Sequence, residues 1–459
     1  MSRISREGSP VAPGMLPPGP KGSLLFGNIF QARRDPLQFL TQCAREYGDV
    51  VRIRFFNRVA YLINHPDDIE SVLVLNSQNF IKPPSREPSR ISEKLFGEDL
   101  LASDGDFWLH HRMQAQPAFH RDRIASYGEV MVAHAQRMLD TWRDGEVRDI
   151  YEDMRHLTLE VVAKTLFNTD VTDQVADLNA ALDTIMHEIT SRVVSPLRLP
   201  TSIPTSRNRR FRWAIERLRE FIDKTIRQHR ANGQGENDLL SILLRARDQE
   251  PGGVTENQWR YEIMTLFIAG YETTALALSW TWYLISQSPE VEARLWAELG
   301  AVLGGRNPEA ADFPRLAYAE LITRESLRLY PPAWLLGGRV ALRDCEIGGF
   351  RMPAGAMIII CPWVTHRDPR YFDHPELFLP ERWAADQAQL LPKYAYFPFG
   401  GGSRHCIGYS YAMMESVLMM STIAQSFRLA LVPGHPVSPQ PLITLRPKYG
   451  LRMQVSRRS

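Results

Sequence analysis

Two stretches hold the side chains best suited to chemistry. The first is FPFGGGSRHCIG, Phe397–Gly408. It sets one cysteine, Cys406, at the end of a loop whose glycines Gly400–Gly402 give backbone freedom denied to other residues. The apolar run Tyr409–Met420 follows and reads as a helix. Its first N–H groups and the positive end of its dipole point back at the sulfur. That arrangement, with Arg404 nearby in sequence, is expected to lower the thiol pKa and favour the thiolate. A thiolate serves as a nucleophile or as a metal ligand. A nucleophile wants a base, and the direction of the neighbouring His405 is not set by the sequence. No second cysteine lies close, so zinc-ribbon and C-x-x-C redox patterns have no support. A buried structural cysteine is the plain alternative.

The second stretch is AGYETT, Ala269–Thr274, inside a long apolar segment. Thr255-Glu256-Asn257-Gln258 is a capping box that starts a helix running to Ser288-Pro289. Gly270 in mid-helix costs about 1 kcal/mol relative to Ala. Local rules broken at one spot point to a functional site; close helix packing through small residues is the alternative. The helix is apolar enough to raise a membrane-spanning reading, but a central Glu272 is costly in lipid. A helix buried through a protein core is therefore expected.

Other candidate groups are carried by helices. Trp108 and Arg112 are i, i+4 and share a face of a helix opening at Gly105 and running toward Phe119. Glu325 and Arg328 are i, i+3, an ordinary ion-pair spacing, and Arg382 follows in Phe378–Trp383. Asp35-Pro36 starts a helix that stops at Gly48. Val50–Phe56 and Val59–Ile63 read as a hairpin, Pro66–Leu75 as a short helix, and residues 123–247 as successive amphipathic helices. Arg339–Ala341 and Ala356–Cys361 read as strands. Residues 79–105 are proline-rich and irregular, and a loop of that length is usually functional or mobile. Pro196, Pro200 and Pro204 mark a flexible link before a basic cluster, Arg207–Arg219, which reads as a solvated face or, alternatively, a membrane contact.

The chain of 459 residues is 44% hydrophobic, enough for a large core. Lys+Arg 54 against Asp+Glu 52 argues against nucleic acid as a partner. Four widely spaced cysteines do not suggest a disulfide framework, and a cytoplasmic, reducing setting fits them. Residues 1–15 read as a disordered tail, with no signal peptide or membrane anchor. One domain is expected over 16–459, helix-rich with β-rich parts near 50–63 and 339–361.

The pattern F-x-x-G-x-R-x-C-x-G (Phe399, Gly402, Arg404, Cys406, Gly408) resembles the haem-binding loop of the cytochromes P-450, the haem-thiolate monooxygenases. The proline-rich Leu16–Pro20 resembles the hinge that follows the anchor in membrane-bound members, and without an anchor a soluble, bacterial-type member is implied. The resemblance extends over nearly the whole chain. It implies the mainly α cytochrome P-450 fold and haem b, iron protoporphyrin IX, with Cys406 as axial ligand of the iron. It implies that Trp108, Arg112, Arg339 and Arg404, with His111 as a further candidate, hold the haem propionates. Gly270 would let the long helix open over the iron, and Glu272 with Thr273 would relay protons to bound dioxygen. Glu325, Arg328 and Arg382 would form a buried bracing network, and Pro332–Leu336 would line the pocket.

The implied reaction inserts one oxygen atom from O2 into an apolar small molecule: a fatty acid, terpene, steroid, macrolide or similar. No dinucleotide fingerprint is found, and the 53 residues after Cys406 leave no room for a reductase domain. Electrons are thus expected from a ferredoxin or flavodoxin with an NAD(P)H-dependent reductase. A peroxygenase or isomerase on the same scaffold, or a haem-binding sensor, are the competing readings. The intact Glu272–Thr273 pair argues against the first; a sensor would tolerate its loss.

Overall fold

Buried polar side chains, among them Glu325 and Arg328, mark where the helices of this chain are locked together. In the computed structural model, residues 16–83, 99–194, 202–231, 238–249, 255–384 and 389–458 are described. The expected tail at 1–15, the middle of the 79–105 loop, and Pro196 and Pro200 of the expected link lie outside them. Packing divides the span expected to be one domain into two units, each built from separate stretches of chain.

The first unit comprises Met1–Pro84, Trp334–Pro375 and Leu390–His405. Its helix Pro36–Tyr47 starts where Asp35 accepts a hydrogen bond from the Gln38 N–H and stops at Gly48, φ 88°. The expected hairpin forms from Val50–Phe55 and Arg58–Ile63. Strand Met357–Ile360 lies parallel to Arg58–Ile63, Leu336–Ala341 pairs antiparallel beyond it, and Phe80–Ile81 closes the edge. The two β-rich parts read separately from the sequence therefore form one five-stranded sheet. Its buried face meets Ile69, Val72, Tyr394 and Phe397.

The second unit comprises Ser85–Ala333, Glu376–Gln389 and Cys406–Ser459. Its core is helical. Helix Glu256–Ser286 packs along Ile150–Phe167, and Tyr409–Ser426 along Arg121–Asp140. The capping box forms as expected, with Thr255 N–H donating to Gln258 Oε1 at 2.7 Å. Among the described residues no helix is long and apolar enough to cross a membrane. The apolar run of the long helix is instead covered by protein, with Phe167, Phe221 and Phe267 in ring contact. A small sheet of Val147–Asp149, Arg452–Arg457 and Phe427–Leu431 completes the unit.

Glu325 and Arg328 are both fully buried. The Glu325 carboxylate accepts from Arg328 Nη2 and Nε at 2.8 and 2.9 Å and from Arg382 Nε at 2.9 Å. It also accepts from the Leu379 N–H at 3.1 Å and the Trp383 indole at 2.9 Å. Every lone-pair direction is used, which is what a buried charge needs. Trp383 is a member the sequence reading missed.

Two further buried carboxyls are not matched by cations. Burial, and then the charge of Asp99, pushes Glu262 up to about 8; burial also pushes Glu415 up to about 8 against a hydrogen bond from Thr274. A carboxyl raised in the native state is protonated there while the unfolded chain has already ionised. Stability therefore falls as pH rises from the ordinary value of 4.5 to about 8. His111, lowered to about 4 mainly by burial, acts in the opposite sense between about 4 and 6.5.

Two outcomes are expected. Glu325→Ala leaves the buried Arg328 guanidinium uncompensated and costs roughly 3–5 kcal/mol in urea unfolding. Glu262→Gln removes one titrating group, so the fall in stability between pH 6.5 and 8 becomes shallower by up to about 1.4 kcal/mol per pH unit. An unchanged slope in that variant would assign the effect elsewhere.

Candidate functional site

In the first unit the glycine-rich loop is shaped by close approach. Gly400 and Gly402 have φ of 72° and 63°, the left-handed region. A Cβ on Gly402 would fall 2.1 Å from the Leu73 carbonyl oxygen, and one on Gly401 would fall 2.4 Å from the Tyr394 ring. The loop is anchored where the Phe397 N–H donates to His366 Nε2 at 2.9 Å. Arg404 ends a single tight turn, Gly402–Arg404. Phe399 lies 6.4 Å from the His405 ring, so that imidazole is stacked against its own loop. Arg339 sits beside an irregularity in strand Leu336–Ala341 and donates to the Gly337 carbonyl at 2.9 Å.

In the second unit Cys406 leads into helix Tyr409–Ser426. The Gly408 N–H is a hydrogen-bond donor to its sulfur, and the Arg112 guanidinium supports negative charge there. A Cβ on Gly408 would stand 3.9 Å from the sulfur, which is ordinary contact. Cys406 is exposed at its surface yet crowded by surrounding protein, and that crowding dominates its titration. Burial raises the thiol pKa, and the Gly408 N–H and Arg112 only moderate the rise. The expected lowering by the helix end is thus corrected: desolvation outweighs one N–H and one half-screened cation. Deprotonation here needs a stronger positive charge at the sulfur, such as a metal ion. Cys43 and Cys361, by contrast, are buried and pushed up to about 12, chiefly by burial.

The helix Gly105–Ala115 presents Trp108 and Arg112 one turn apart, with Trp108 buried and Arg112 half-buried. Burial lowers the Arg112 pKa, and the negative charge available at Cys406 opposes that shift. Among the described residues no carboxylate pairs with Arg112, so its cation is available to an anionic group beside the cysteine. His111 is placed differently. Its ring lies 5.9 Å from Trp259, and Nδ1 is 3.6 Å from Glu262 Oε2 in a buried cluster. Its neighbours are thus those of the long helix's first turns.

That helix runs unbroken through Gly270, contrary to the opening expected there. A Cβ on Gly270 would stand 2.7 Å from Val162 Cγ2, so the glycine is explained by close packing on helix Ile150–Phe167. The middle of the helix is buried except at Ala269, Gly270 and Thr273. Ala269 and Thr273 share a face, and Thr273 Oγ1 donates to the Ala269 carbonyl at 2.8 Å. In the middle of this helix a single hydroxyl, that of Thr273, is therefore displayed on the partly open patch.

Glu272 points another way. Its Oε1 accepts from Thr444 Oγ1 at 2.8 Å and from Arg446 Nε at 2.7 Å. Arg446 Nη1 donates onward to Asp183 Oδ1 at 2.7 Å, and Arg155 Nη2 donates to the same oxygen at 2.8 Å. Burial disfavours the Arg446 charge, but the combined pull of Glu272, Tyr151, Tyr271 and Asp183 raises its pKa. Glu272 and Arg446 are buried and Asp183 is 37% exposed, so a charged path leads from mid-helix to the surface. The sequence reading found Glu272 but not Thr444, Arg446 or Asp183, which lie at remote chain positions with no shared spacing.

The residues fit a haem group in three respects. The sulfur has an N–H donor and a guanidinium at hand, a half-buried arginine lacks a carboxylate partner, and an uncharged hydroxyl faces open space on the long helix. With a haem present, these would offer a ligand, a propionate partner and a hydrogen-bond donor for small polar species.

Comparison with known proteins agrees. The family model described as Cytochrome P450 matches residues 17–453. Cyclooctatin synthase from Streptomyces melanosporofaciens is 39% identical, over 95% of this chain and 93% of that protein. Cyclooctat-9-en-7-ol 5-monooxygenase of the same organism is 38% identical, over 92% and 90%. Pentalenene oxygenase from Streptomyces avermitilis is 31% identical, over 98% and 97%. The crystal structure of the cytochrome P450DA heme domain superposes with a TM-score of 0.86 at 26% identity, covering 96% of this chain and 97% of that one. A cysteine loop that wants a metal, a propionate-ready arginine and a match spanning almost every residue all lead to one statement: this chain belongs to the cytochrome P450 family, as an oxidoreductase of the monooxygenase kind with a haem-thiolate centre.

Proposed function

We propose that the protein hydroxylates a cyclic, largely hydrocarbon substrate, with haem b held by Cys406 and electrons supplied by a separate ferredoxin or flavodoxin and its reductase. The observation that carries the reading is the open patch at Ala269 and Thr273 in the otherwise buried middle of the long helix, in the same unit as Cys406. The names of two relatives, Cyclooctat-9-en-7-ol 5-monooxygenase and Pentalenene oxygenase, denote a cyclic alcohol and a cyclic hydrocarbon and favour that substrate class over fatty acids. When bound, the haem supplies activation of dioxygen and transfer of one oxygen atom to a C–H bond.

The chain's own residues do the rest. Cys406 ligates through its sulfur, with the Gly408 N–H restraining charge on it. Arg112, with Trp108 beside it, holds a propionate; Arg339 and Arg404 are assigned the same task. Phe399 is assigned to haem binding from its place in the motif. Thr273 Oγ1 gives up its bond to the Ala269 carbonyl and donates to a polar species on the open face. Arg446 stays protonated and holds Glu272 toward Asp183 at the surface; the Glu272 carboxyl takes a proton from solvent on that side, turns away from the guanidinium and gives the proton up toward Thr273. The apolar walls exclude water and orient the substrate.

Reduced holoprotein exposed to carbon monoxide should give the red-shifted Soret band of a thiolate-ligated haem, and Cys406→Ala should abolish it. Retention of the band in that variant would end the proposal. Thr273→Ala should keep the band but divert electrons from product, lowering product formed per electron by on the order of tenfold or more. Asp183→Asn should slow product formation roughly tenfold with a larger solvent isotope effect, while the substrate-induced spectral shift keeps its half-saturation. A screen of that shift across terpenes, steroids, fatty acids and macrolides tests the substrate class directly; tightest binding of a fatty acid would refute the cyclic assignment.

A further inference from the structure

A short loop near the start of the first unit holds large apolar side chains out in solvent, and the chain goes to some length to keep them there. Ser23 and Gly27 pair through two backbone hydrogen bonds of 2.9 Å, closing a tip made of Leu24, Leu25 and Phe26. Leu24 is 94% exposed, Leu25 76% and, on the following turn, Phe30 60%. Isolated exposed leucines need no explanation, but three such residues within one short loop and turn form a patch that does.

The exposure is built rather than incidental. Arg54 reaches under the tip and donates to the Leu24 carbonyl at 2.9 Å, to the Phe56 carbonyl at 3.1 Å and to the Ser23 carbonyl. Asn28, almost fully buried, accepts from the Arg54 N–H at 3.1 Å and donates to Gln31 Oε1 at 2.9 Å. Gly27 has φ 59°, and a Cβ there would fall 2.1 Å from the Arg54 carbonyl oxygen. A Cβ on Gly22 would fall 2.6 Å from the Gly27 carbonyl carbon. Phe26 is braced by Phe30 and Phe56 at 5.3 and 5.8 Å. The backbone is thus fixed while the two leucines face outward, so an insertion would lose little conformational entropy.

The charge around the tip selects what receives it. From Leu16 to Asp35 the charged residues are Lys21, Arg33, Arg34 and Asp35, all exposed, so cations outnumber acids three to one. Two protruding leucines on a stretch of net positive charge match a surface with negative headgroups over an apolar interior. We propose that this loop is a peripheral docking element for an anionic lipid surface, in which Leu24 and Leu25 enter the acyl boundary while Lys21, Arg33 and Arg34 meet the headgroups. This is adhesion to a membrane face, and it needs no spanning helix.

The test uses the full-length holoprotein and vesicles of phosphatidylglycerol or of phosphatidylcholine, read by co-sedimentation. The wild type should sediment with phosphatidylglycerol vesicles and much less with phosphatidylcholine. Leu24→Asp with Leu25→Asp should weaken that binding by on the order of tenfold or more. Arg33→Glu with Arg34→Glu should remove the preference between the two lipids. Both variants should keep the carbon-monoxide spectrum and circular dichroism of the parent, since none of these residues touches the haem loop. Equal sedimentation of parent and leucine variant would overturn the proposal, as would failure of the parent to bind phosphatidylglycerol. A lipid-free dimer that disappears in the leucine variant would overturn it as well, assigning the tip to a second copy of the chain.

Discussion

The thiol of Cys406 is not ionised by its own surroundings. Burial penalises the charged sulfur more than one N–H and the Arg112 guanidinium reward it. A positive charge brought to the sulfur, as by a metal ion, would shift that balance toward the thiolate. The same logic governs the long helix, which displays one hydroxyl to the open side and hides its carboxylate behind Arg446 and Thr444.

Buried charge elsewhere is managed by saturation. Glu325 is given five donors from Arg328, Arg382, Trp383 and the Leu379 N–H, so two chain segments are tied by one carboxylate. Removing any one partner leaves the rest stranded, which is why such networks fix geometry more surely than they add stability. Glu262 and Glu415 follow the other route open to a buried acid and keep their protons.

Most of the local elements were legible in the sequence. The Asp35-Pro36 start, the Thr255–Gln258 box and the hairpin at Asn57 rest on side chains that act within a few residues of themselves, and each forms where expected. The Glu325–Arg328–Arg382 network was legible through motif spacing. What escaped were partners joined only by tertiary folding: Arg446 and Asp183 to Glu272, and Trp383 to Glu325. Gly270 shows the limit of local reasoning, since its lack of a side chain answers to Val162 on another helix rather than to a bend in its own. The direction of the thiol shift was also misread, because local sequence shows the helix end beside Cys406 but not how far folding desolvates it.

The parallel pairing of Arg58–Ile63 with Met357–Ile360 has a consequence for biosynthesis. The hairpin emerges from the ribosome early, while its neighbour follows about 300 residues later, a delay of roughly 15–60 s at ordinary elongation rates. Throughout that interval the Ala60–Ile63 edge has no strand to pair with, and its side chains are Val, Ala, Tyr, Leu and Ile with a lone Arg58. A nascent chain in that condition is a natural client for a holdase, and the yield of folded protein on expression should track chaperone supply and translation speed more than the final stability of the fold.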